Sequence, residues 1–273
     1  MHERSVHMET KEQLQAYLKE IEEWEKDQGS VWFWDKLARL PFKFLDKLTP
    51  KFLQEKLGQL VNLLVDYVQT GGNFLTSTTG TLKSIERKTG LDIKTIEEIR
   101  HLPIERMIVL SEDLKKNRAK FATVQGATTG FGGLFTIIAD IPLVIGNALK
   151  SLQEIAIIHG YDPRKKKERI FIVKCLQYAF ADVVGKEAIL KELTAIHGGQ
   201  ANEQNMIAQM QGWREVFLTY SEQFGLKKLM QMIPIIGIIF GAITNKSMIE
   251  DVVDTGMMLY RKRRIYERLN ELP

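Results

Sequence analysis

Cysteine is almost missing from this sequence, because Cys175 is the only one in 273 residues. A single cysteine cannot close an internal disulfide or build a zinc cage of several thiolates, which favours a reducing compartment such as the cytoplasm. Lone cysteines usually behave as small apolar residues, so we expect Cys175 in the core. On residue type alone, Cys175 with His159 or His197 could form a nucleophile and base pair, and nothing in the sequence fixes their geometry.

The signatures of common enzymes are also absent. The sequence has no phosphate-binding loop, no dinucleotide-binding glycine motif, no HExxH zinc motif, no nucleophile elbow and no Ser-x-x-Lys pair. Its N-terminus lacks the continuous apolar stretch of a secretory signal, so export by that route is not expected. No helix-turn-helix, RNP or zinc-finger pattern accompanies the net charge of +4, and we therefore expect no nucleic acid partner.

Two-residue alternation of apolar side chains is missing as well, whereas apolar residues recur at helical spacing almost everywhere. The sequence therefore predicts an all-α protein, a compact multi-helix bundle. We expect a single domain over residues 1–273, with residues 1–70 as an N-terminal amphipathic helical subregion.

Proline and glycine mark the predicted helix ends. Glycine after Lys88-Thr89 is typical of a helix C-terminus, and Thr49-Pro50 and Gly71-Gly72 end two other helices. The main predicted helices cover residues 10–27, 31–48, 51–69, 104–124, 163–184, 203–223 and a last one that ends near 269.

Two apolar segments contain both glycine and proline, at residues 131–149 and 229–245. The first is about as long as a bilayer crossing requires, but Pro142 interrupts it and Asp140 would lie near the bilayer centre. The second is shorter. We expect both to pack as helices in a soluble core, and insertion into a membrane is the alternative. Small residues four positions apart, which allow close helix packing, are Gly126 with Gly130 and Gly237 with Gly241.

Residues 31–48 form a basic amphipathic pattern with aromatic residues. On a helix, apolar side chains that include Trp34 lie opposite one cationic stripe. Such helices lie in the interface of anionic membranes, and the alternative is an ordinary surface helix that covers the core. The stripe consists of Lys36, Arg39, Lys43 and Lys47.

Two further cationic runs follow the apolar segments. Each cation close to an anionic surface contributes about 1 kcal/mol, so the two runs favour contact with a cytoplasmic membrane leaflet, although solvated charged faces explain either run alone. The first run is Arg164, Lys165, Lys166 and Lys167, and the second is Arg261, Lys262, Arg263 and Arg264.

Acidic residues after the first apolar segment offer the strongest candidates for catalysis. On one continuous helix, Asp140 and Glu154 lie within about 60° of one another, because 14 residues nearly complete whole turns. Two carboxylates in an apolar layer could bind a divalent metal or act as acid and base, with His159 nearby. Helix capping by Asp140 before Pro142 and a helix C-terminal role for His159 need no chemistry.

The central block of the sequence resembles the EcsC protein family. The resembling residues are GATTGFGG at 126–133, ADIP at 139–142, SLQEIAIIHGYDP at 151–163, KERIFIV at 167–173, IPIIGIIFGAITN at 233–245 and a helix around Trp24. The resemblance implies a bacterial, intracellular, all-helical protein with a link to membrane transport or secretion, since the family takes its name from a gene beside an ABC transporter. It supplies no catalytic residues, although its pattern includes Asp140 and Gln153-Glu154.

Together these features predict a non-enzymatic accessory protein, cytoplasmic at the inner face of the cell membrane and bound to an anionic membrane surface or a membrane protein. We expect no cofactor and no resident metal ion. Two alternatives remain open at this point: a metal-assisted hydrolase that uses Asp140 and Glu154, and an integral membrane protein inserted through residues 131–149 and 229–245.

Overall fold

The computed structural model describes residues 9–27, 50–71, 76–129, 141–181, 183–197, 203–220 and 245–272. Within these ranges the fold is all-α and contains no strand, as predicted. The described helices are α1 (Lys11–Asp27), α2 (Pro50–Thr70), α3 (Thr78–Thr89), α4 (Ile96–Ile99), α5 (Ile104–Thr129), α6 (Ile141–Ile158), α7 (Lys166–Phe180), α8 (Val183–His197), α9 (Glu203–Tyr220) and α10 (Asn245–Glu271).

Local sequence explains where helices start and stop. At the start of α3, the Ser77 hydroxyl accepts a hydrogen bond from the Gly80 backbone N–H at 3.1 Å. At its end Gly90 adopts the left-handed conformation, with φ 68°, and donates its backbone N–H to the Glu86 carbonyl. The helix C-terminus predicted at Lys88-Thr89 is therefore confirmed. The predicted single helix over 163–184 is wrong, because Ala181 is extended and separates α7 from α8.

Among the described helices, α10 packs most extensively, against α5, α6 and α7. Gly256 lets α10 approach α6 closely, since a Cβ atom there would lie only 2.6 Å from Leu152 Cδ2. Val144, Ile145, Ala148 and Leu149, which belong to the first predicted apolar segment, are buried in the main hydrophobic cluster. This part of the segment packs in the core, as predicted, whereas residues 131–140 and 229–244 lie outside the described ranges.

Side-chain contacts between α5, α6 and α10 show in which direction each helix runs relative to the others. Arg118 of α5 pairs with Glu154 of α6, and Lys115 of α5 pairs with Asp254 of α10. Further along α10, Arg264 reaches the His159 carbonyl at the end of α6. Together with the approach of Gly256 to Leu152, this contact makes α10 parallel to α6. Arg268, near the end of α10, donates to the Leu102 carbonyl just before α5, so α10 and α6 run antiparallel to α5.

This arrangement gives the bundle two ends. At the Ile141 end, α5 finishes at Thr129, α6 begins at Ile141 and α10 begins at Asn245. At the His159 end, α6 finishes, α5 begins and the chain turns into α7. Helix α6, with 18 residues, separates the two ends by about 27 Å.

Candidate functional site

The predicted cationic surface at residues 261–264 is wrong for its three arginines. Arg261, Arg263 and Arg264 are only 4%, 8% and 2% exposed, so they cannot meet lipid headgroups. Lys262 is half-buried, and its ammonium group lies 2.8 Å from both carboxylate oxygens of Glu25. This part of α10 crosses the interior of the bundle and provides no free basic face.

Arg263 belongs to a buried ion pair with Glu168. Its two terminal nitrogens donate to the two carboxylate oxygens at 2.7 and 2.9 Å, the bidentate geometry that suits a guanidinium group. The guanidinium carbon also lies 4.1 Å from the centre of the Tyr161 ring and 5.1 Å from that of Phe171. Burial alone would lower the pKa of Arg263, but the hydrogen bonds to Glu168 raise it above its ordinary value.

Three other buried arginines bind the carbonyl oxygens at helix C-termini. Arg264 donates to the His159 carbonyl at the end of α6, at 2.6 and 3.0 Å. Arg169 donates to Val68 and Gln69 in the last turn of α2, and Arg268 donates to the Arg100 and Leu102 carbonyls after α4. Cations at these positions satisfy orphan carbonyls and complement the helix dipole.

The choice between arginine and lysine is the sequence signal that could have revealed this network. Arginine forms several hydrogen bonds in a fixed plane and is the more weakly hydrated cation, so it suits buried positions. In the run at 261–264 the three arginines are buried and the lysine is half-buried, whereas in the run at 164–167 all three lysines are exposed.

His159 is fully buried just after α6 and is neutral. One ring nitrogen, Nδ1, lies 2.8 Å from the Ile155 carbonyl oxygen, and the ring stacks near Tyr260 with centroids 6.1 Å apart. Burial, opposed in part by the Ile155 hydrogen bond, lowers the pKa of His159 to about 3. Arg264, and not His159, therefore supplies the positive charge at this helix end.

The stability of the fold should fall on acidification because of His159. Between about pH 6.5 and pH 3 the unfolded chain binds the histidine proton and the folded chain does not, so this stability is complete above pH 6.5 and is lost as the pH falls. We expect the free energy of unfolding to decrease by about 2 kcal/mol from pH 7 to pH 5 through this group. Urea unfolding at both pH values should show a smaller decrease for His159→Asn than for wild type. The exposed His101→Asn serves as the control, and equal decreases in wild type and His159→Asn would contradict the prediction.

Glu154 is held by an arginine. Arg118 donates from Nη2 and Nε to its two carboxylate oxygens at 2.7 and 3.2 Å, and the Thr76 hydroxyl lies 3.4 Å from one of them. The guanidinium group neutralises the carboxylate, which does not favour a divalent cation at Glu154. Asp140, its predicted partner, lies outside the described residues.

A pocket of about 200 Å³ lies beside this ion pair, between α3, α5 and α6. Ser77, Thr81 and Ser84 of the α3 region form one wall, and apolar side chains that include Leu110 and Ile158 form the floor.

Cys175 is completely buried, as predicted. Burial raises the pKa of its thiol well above the ordinary value, so the thiolate needed for nucleophilic attack is disfavoured.

Comparison with known proteins finds similarity along nearly the whole chain. The model of the EcsC protein family matches residues 15–265. The chain belongs to the EcsC protein family. It is similar to the uncharacterized protein YdbA of Bacillus subtilis (strain 168), with 54% identity over 264 residues that cover 96% of this chain and 97% of that protein. It is also similar to protein EcsC of the same organism, with 28% identity over 152 residues, 56% of this chain and 61% of that protein. No solved structure matches the chain.

In this EcsC family member the first predicted cationic run, residues 164–167, is on the surface. Arg164, Lys165, Lys166 and Lys167 are all exposed, between the end of α6 and the first turn of α7. Arg164 forms a bidentate pair with Asp162 at 2.8 and 2.9 Å, and its guanidinium also experiences the charge of Glu97. We call residues 164–167 the basic corner; it lies at the His159 end.

Helix α5 of this EcsC protein exposes basic and aromatic side chains that the sequence did not predict. Phe121 is 54% exposed, and Lys116, Asn117 and Lys120 are exposed on the same half of the helix. Leu143 of α6 is also 50% exposed, close to the Ile141 end. The alternation of charged and apolar residues in α5 gave no clear apolar stripe, so the exposed phenylalanine could not be distinguished from a core residue.

Several predicted residues lie outside the described ranges, namely Trp34, Lys36, Arg39, Lys43, Lys47, Gly130, Asp140, Gly237 and Gly241, whereas Gly126 belongs to α5. Among the described residues, no helix combines the length and apolar character that a bilayer crossing requires. The same residues contain no group of three or more histidine, cysteine or carboxylate side chains placed to hold a metal ion.

Proposed function

We propose that this EcsC family protein is a non-enzymatic accessory protein that binds reversibly to an anionic membrane surface at the cytoplasmic face of the cell membrane. The observation that carries the proposal is the exposed part of α5 between Lys116 and Phe121, where Lys116, Lys120 and the Phe121 ring are all open to solvent. Exposed aromatic and lysine side chains on one helix are the combination by which peripheral helices bind at the headgroup boundary.

The magnitudes support weak, reversible binding. Each lysine near an anionic leaflet contributes about 1 kcal/mol, and a phenylalanine side chain moved out of water contributes about 1.5–3 kcal/mol. These contributions suit a protein that binds the membrane together with further contacts. The predicted basic aromatic helix at 31–48, with Lys36, Arg39, Lys43 and Lys47, would add such contacts.

Membrane binding is tested by flotation of the purified protein with vesicles. We expect it to float with phosphatidylglycerol–phosphatidylcholine vesicles at low salt, to bind less at high salt because the charges are screened, and to bind pure phosphatidylcholine poorly. The double variant Lys116→Gln/Lys120→Gln should bind the anionic vesicles roughly 30-fold more weakly, which corresponds to about 2 kcal/mol.

A matched control removes two exposed lysines elsewhere, Lys19→Gln/Lys83→Gln, and should bind more tightly than the α5 variant. Neutralisation of Lys36, Arg39, Lys43 and Lys47 tests the contribution of residues 31–48 in the same assay. Binding that is independent of salt, or a wild-type protein that does not float with anionic vesicles, would overturn the proposal.

A further inference from the structure

Helix α1 lies on the outside of the bundle. Of its 17 residues only Leu14 and Ile21 are buried, whereas in α7 every residue from Glu168 to Phe180 is buried. Among the described helices, α1 packs mainly against α10. The buried side chains of the main hydrophobic cluster all come from other helices. Few apolar contacts therefore hold α1 in place, and the bundle beneath it has a core of its own.

One face of α10 receives α1 mainly through charges. Three glutamates in and just before α1 pair with three cations on α10, which are spaced so that they share one side of the helix. Ile265, between these cations, belongs to the same apolar cluster as Leu14 and Ile21. The pairs are Glu9 with Arg268, Glu20 with Arg261 and Glu25 with Lys262. We call Arg261, Lys262, Ile265 and Arg268 the α1-binding face.

Arg261 is poorly satisfied by α1. It is only 4% exposed, yet its ion pair with Glu20 is long, at 3.6 Å, and the Glu20 side chain is 60% exposed. Its Nη2 lies 3.1 Å from the Met258 sulfur, a weak acceptor, and its Nε has no hydrogen-bond partner in the part of the chain that the structure describes. Arginine binds carboxylates best through two parallel hydrogen bonds. A helix that brings a carboxylate closer to Arg261 would therefore bind this face better than α1 does.

The start of α1 is specified by contacts within α1 itself. The Thr10 hydroxyl accepts a hydrogen bond from the Gln13 backbone N–H at 3.3 Å, and the Gln13 side chain accepts one from the Thr10 backbone N–H at 2.9 Å. This reciprocal pair is a capping box. Glu22 and Lys26, four residues apart, add a favourable pair of charges within the helix. The local contacts that favour this helix are therefore kept when α1 leaves α10.

We infer that the α1-binding face of α10 is a docking surface for an acidic amphipathic helix of a partner protein, and that α1 occupies this face until the partner displaces it. The partner helix presents apolar side chains seven residues apart, as Leu14 and Ile21 are, flanked by carboxylates of which one reaches Arg261. Because α1 is tethered, it competes at a millimolar effective concentration, and the partner must exceed it through better contacts. This inference goes beyond the proposed membrane binding and does not depend on it.

A variant whose own α1 cannot dock tests whether the face accepts a helix from another molecule. The change Leu14→Asp/Ile21→Asp is made in the full-length protein, and the probe is a fluorescein-labelled peptide of residues 9–27, followed by fluorescence anisotropy. We expect the variant to stay folded by circular dichroism and to bind the peptide roughly 10²-fold more tightly than wild type, in which α1 competes. Gln15→Asp/Ala16→Asp adds the same charge at two exposed positions of α1 and should behave as wild type.

The acidic character of the partner is tested by changes in the peptide. A peptide with Glu20→Gln/Glu25→Gln should bind the Leu14→Asp/Ile21→Asp protein roughly tenfold more weakly than the unchanged peptide, because it lacks the carboxylates that meet Arg261 and Lys262. The control peptide carries Glu22→Gln/Glu23→Gln, which gives the same net charge, and should bind as the unchanged peptide does.

Several results would overturn the inference. An unfolded Leu14→Asp/Ile21→Asp protein would show that α1 is a fixed part of the core, and a folded one that does not bind the peptide would show that the face accepts no helix from another molecule. Equal binding of the two charge-reduced peptides would refute an acidic partner. A wild-type dimer that dissociates in this variant would assign the face to a second copy of the chain. Anionic vesicles that displace the bound peptide would assign it to lipid.

Discussion

Glu168→Gln will destabilise the protein by about 3–5 kcal/mol, because it leaves the buried guanidinium group of Arg263 with only the partly exposed Glu267 carboxylate, 3.5 Å from its Nε, as a counter-charge. Both hydrogen bonds to Arg263 are made by carboxylate oxygens, and a neutral amide offers only one acceptor in their place. In a chain of this size the midpoint of thermal unfolding should fall by roughly 10 °C. Urea unfolding, followed by far-ultraviolet circular dichroism, measures the free energy directly.

The double variant Glu168→Gln/Arg263→Met separates the charge from the packing. Removal of both charges takes away the poorly compensated cation, so we expect the double variant to recover part of the stability lost in Glu168→Gln. Glu187→Gln is the matched control, because it breaks an exposed ion pair with Lys191 on α8 and should leave the unfolding midpoint nearly unchanged. A double variant no more stable than Glu168→Gln would contradict the assigned role of the ion pair.

Gly160→Ala will be more damaging than Gly90→Ala, although both glycines are left-handed. Gly160 has φ 78°, and a Cβ atom there would lie 2.5 Å from Arg100 Cγ and 3.0 Å from the Arg100 backbone nitrogen. The left-handed conformation costs alanine about 1–2 kcal/mol, and the collision adds about 1–3 kcal/mol, since a backbone atom cannot move aside as a flexible side chain can. We expect a total loss of about 2–5 kcal/mol in the free energy of urea unfolding.

Gly90→Ala provides the comparison that isolates the collision. Gly90 is also left-handed, with φ 68°, but a Cβ atom there would meet no atom within 4 Å. Its alanine variant should therefore lose only the backbone contribution, about 1–2 kcal/mol. Equal losses at the two positions would mean that Arg100 moves aside without cost.

Local signals were sufficient to predict most helices. The end of α3 was predictable because Gly90 adopts a conformation that other residues avoid, and the start of α2 because proline favours the first turn. The break at Ala181 was not predictable in this way. Neither glycine nor proline occurs there, and the extended backbone of Ala181 depends on how α7 and α8 pack together.

The candidate surfaces were harder to predict, since a charge run in the sequence does not indicate whether its side chains are exposed. Residues 164–167 and 261–264 are both runs of four cations, but one run lies at a turn and the other crosses the interior on α10. Arg263 and Arg264 are buried because Glu168 and the His159 carbonyl, 95 and 105 residues away, supply their partners. Only the tertiary fold brings these groups together.

The buried arginines that bind helix C-terminal carbonyls also determine the order in which the protein can fold. Arg264 and Arg268 belong to α10, yet the carbonyls they satisfy lie after α6 and α4. During synthesis those helix ends emerge from the ribosome more than 100 residues before their arginines. Until α10 is synthesised, these carbonyls and the Glu168 carboxylate lack their arginine partners. Docking of α10 onto the other helices is therefore a late folding step that forms long-range contacts.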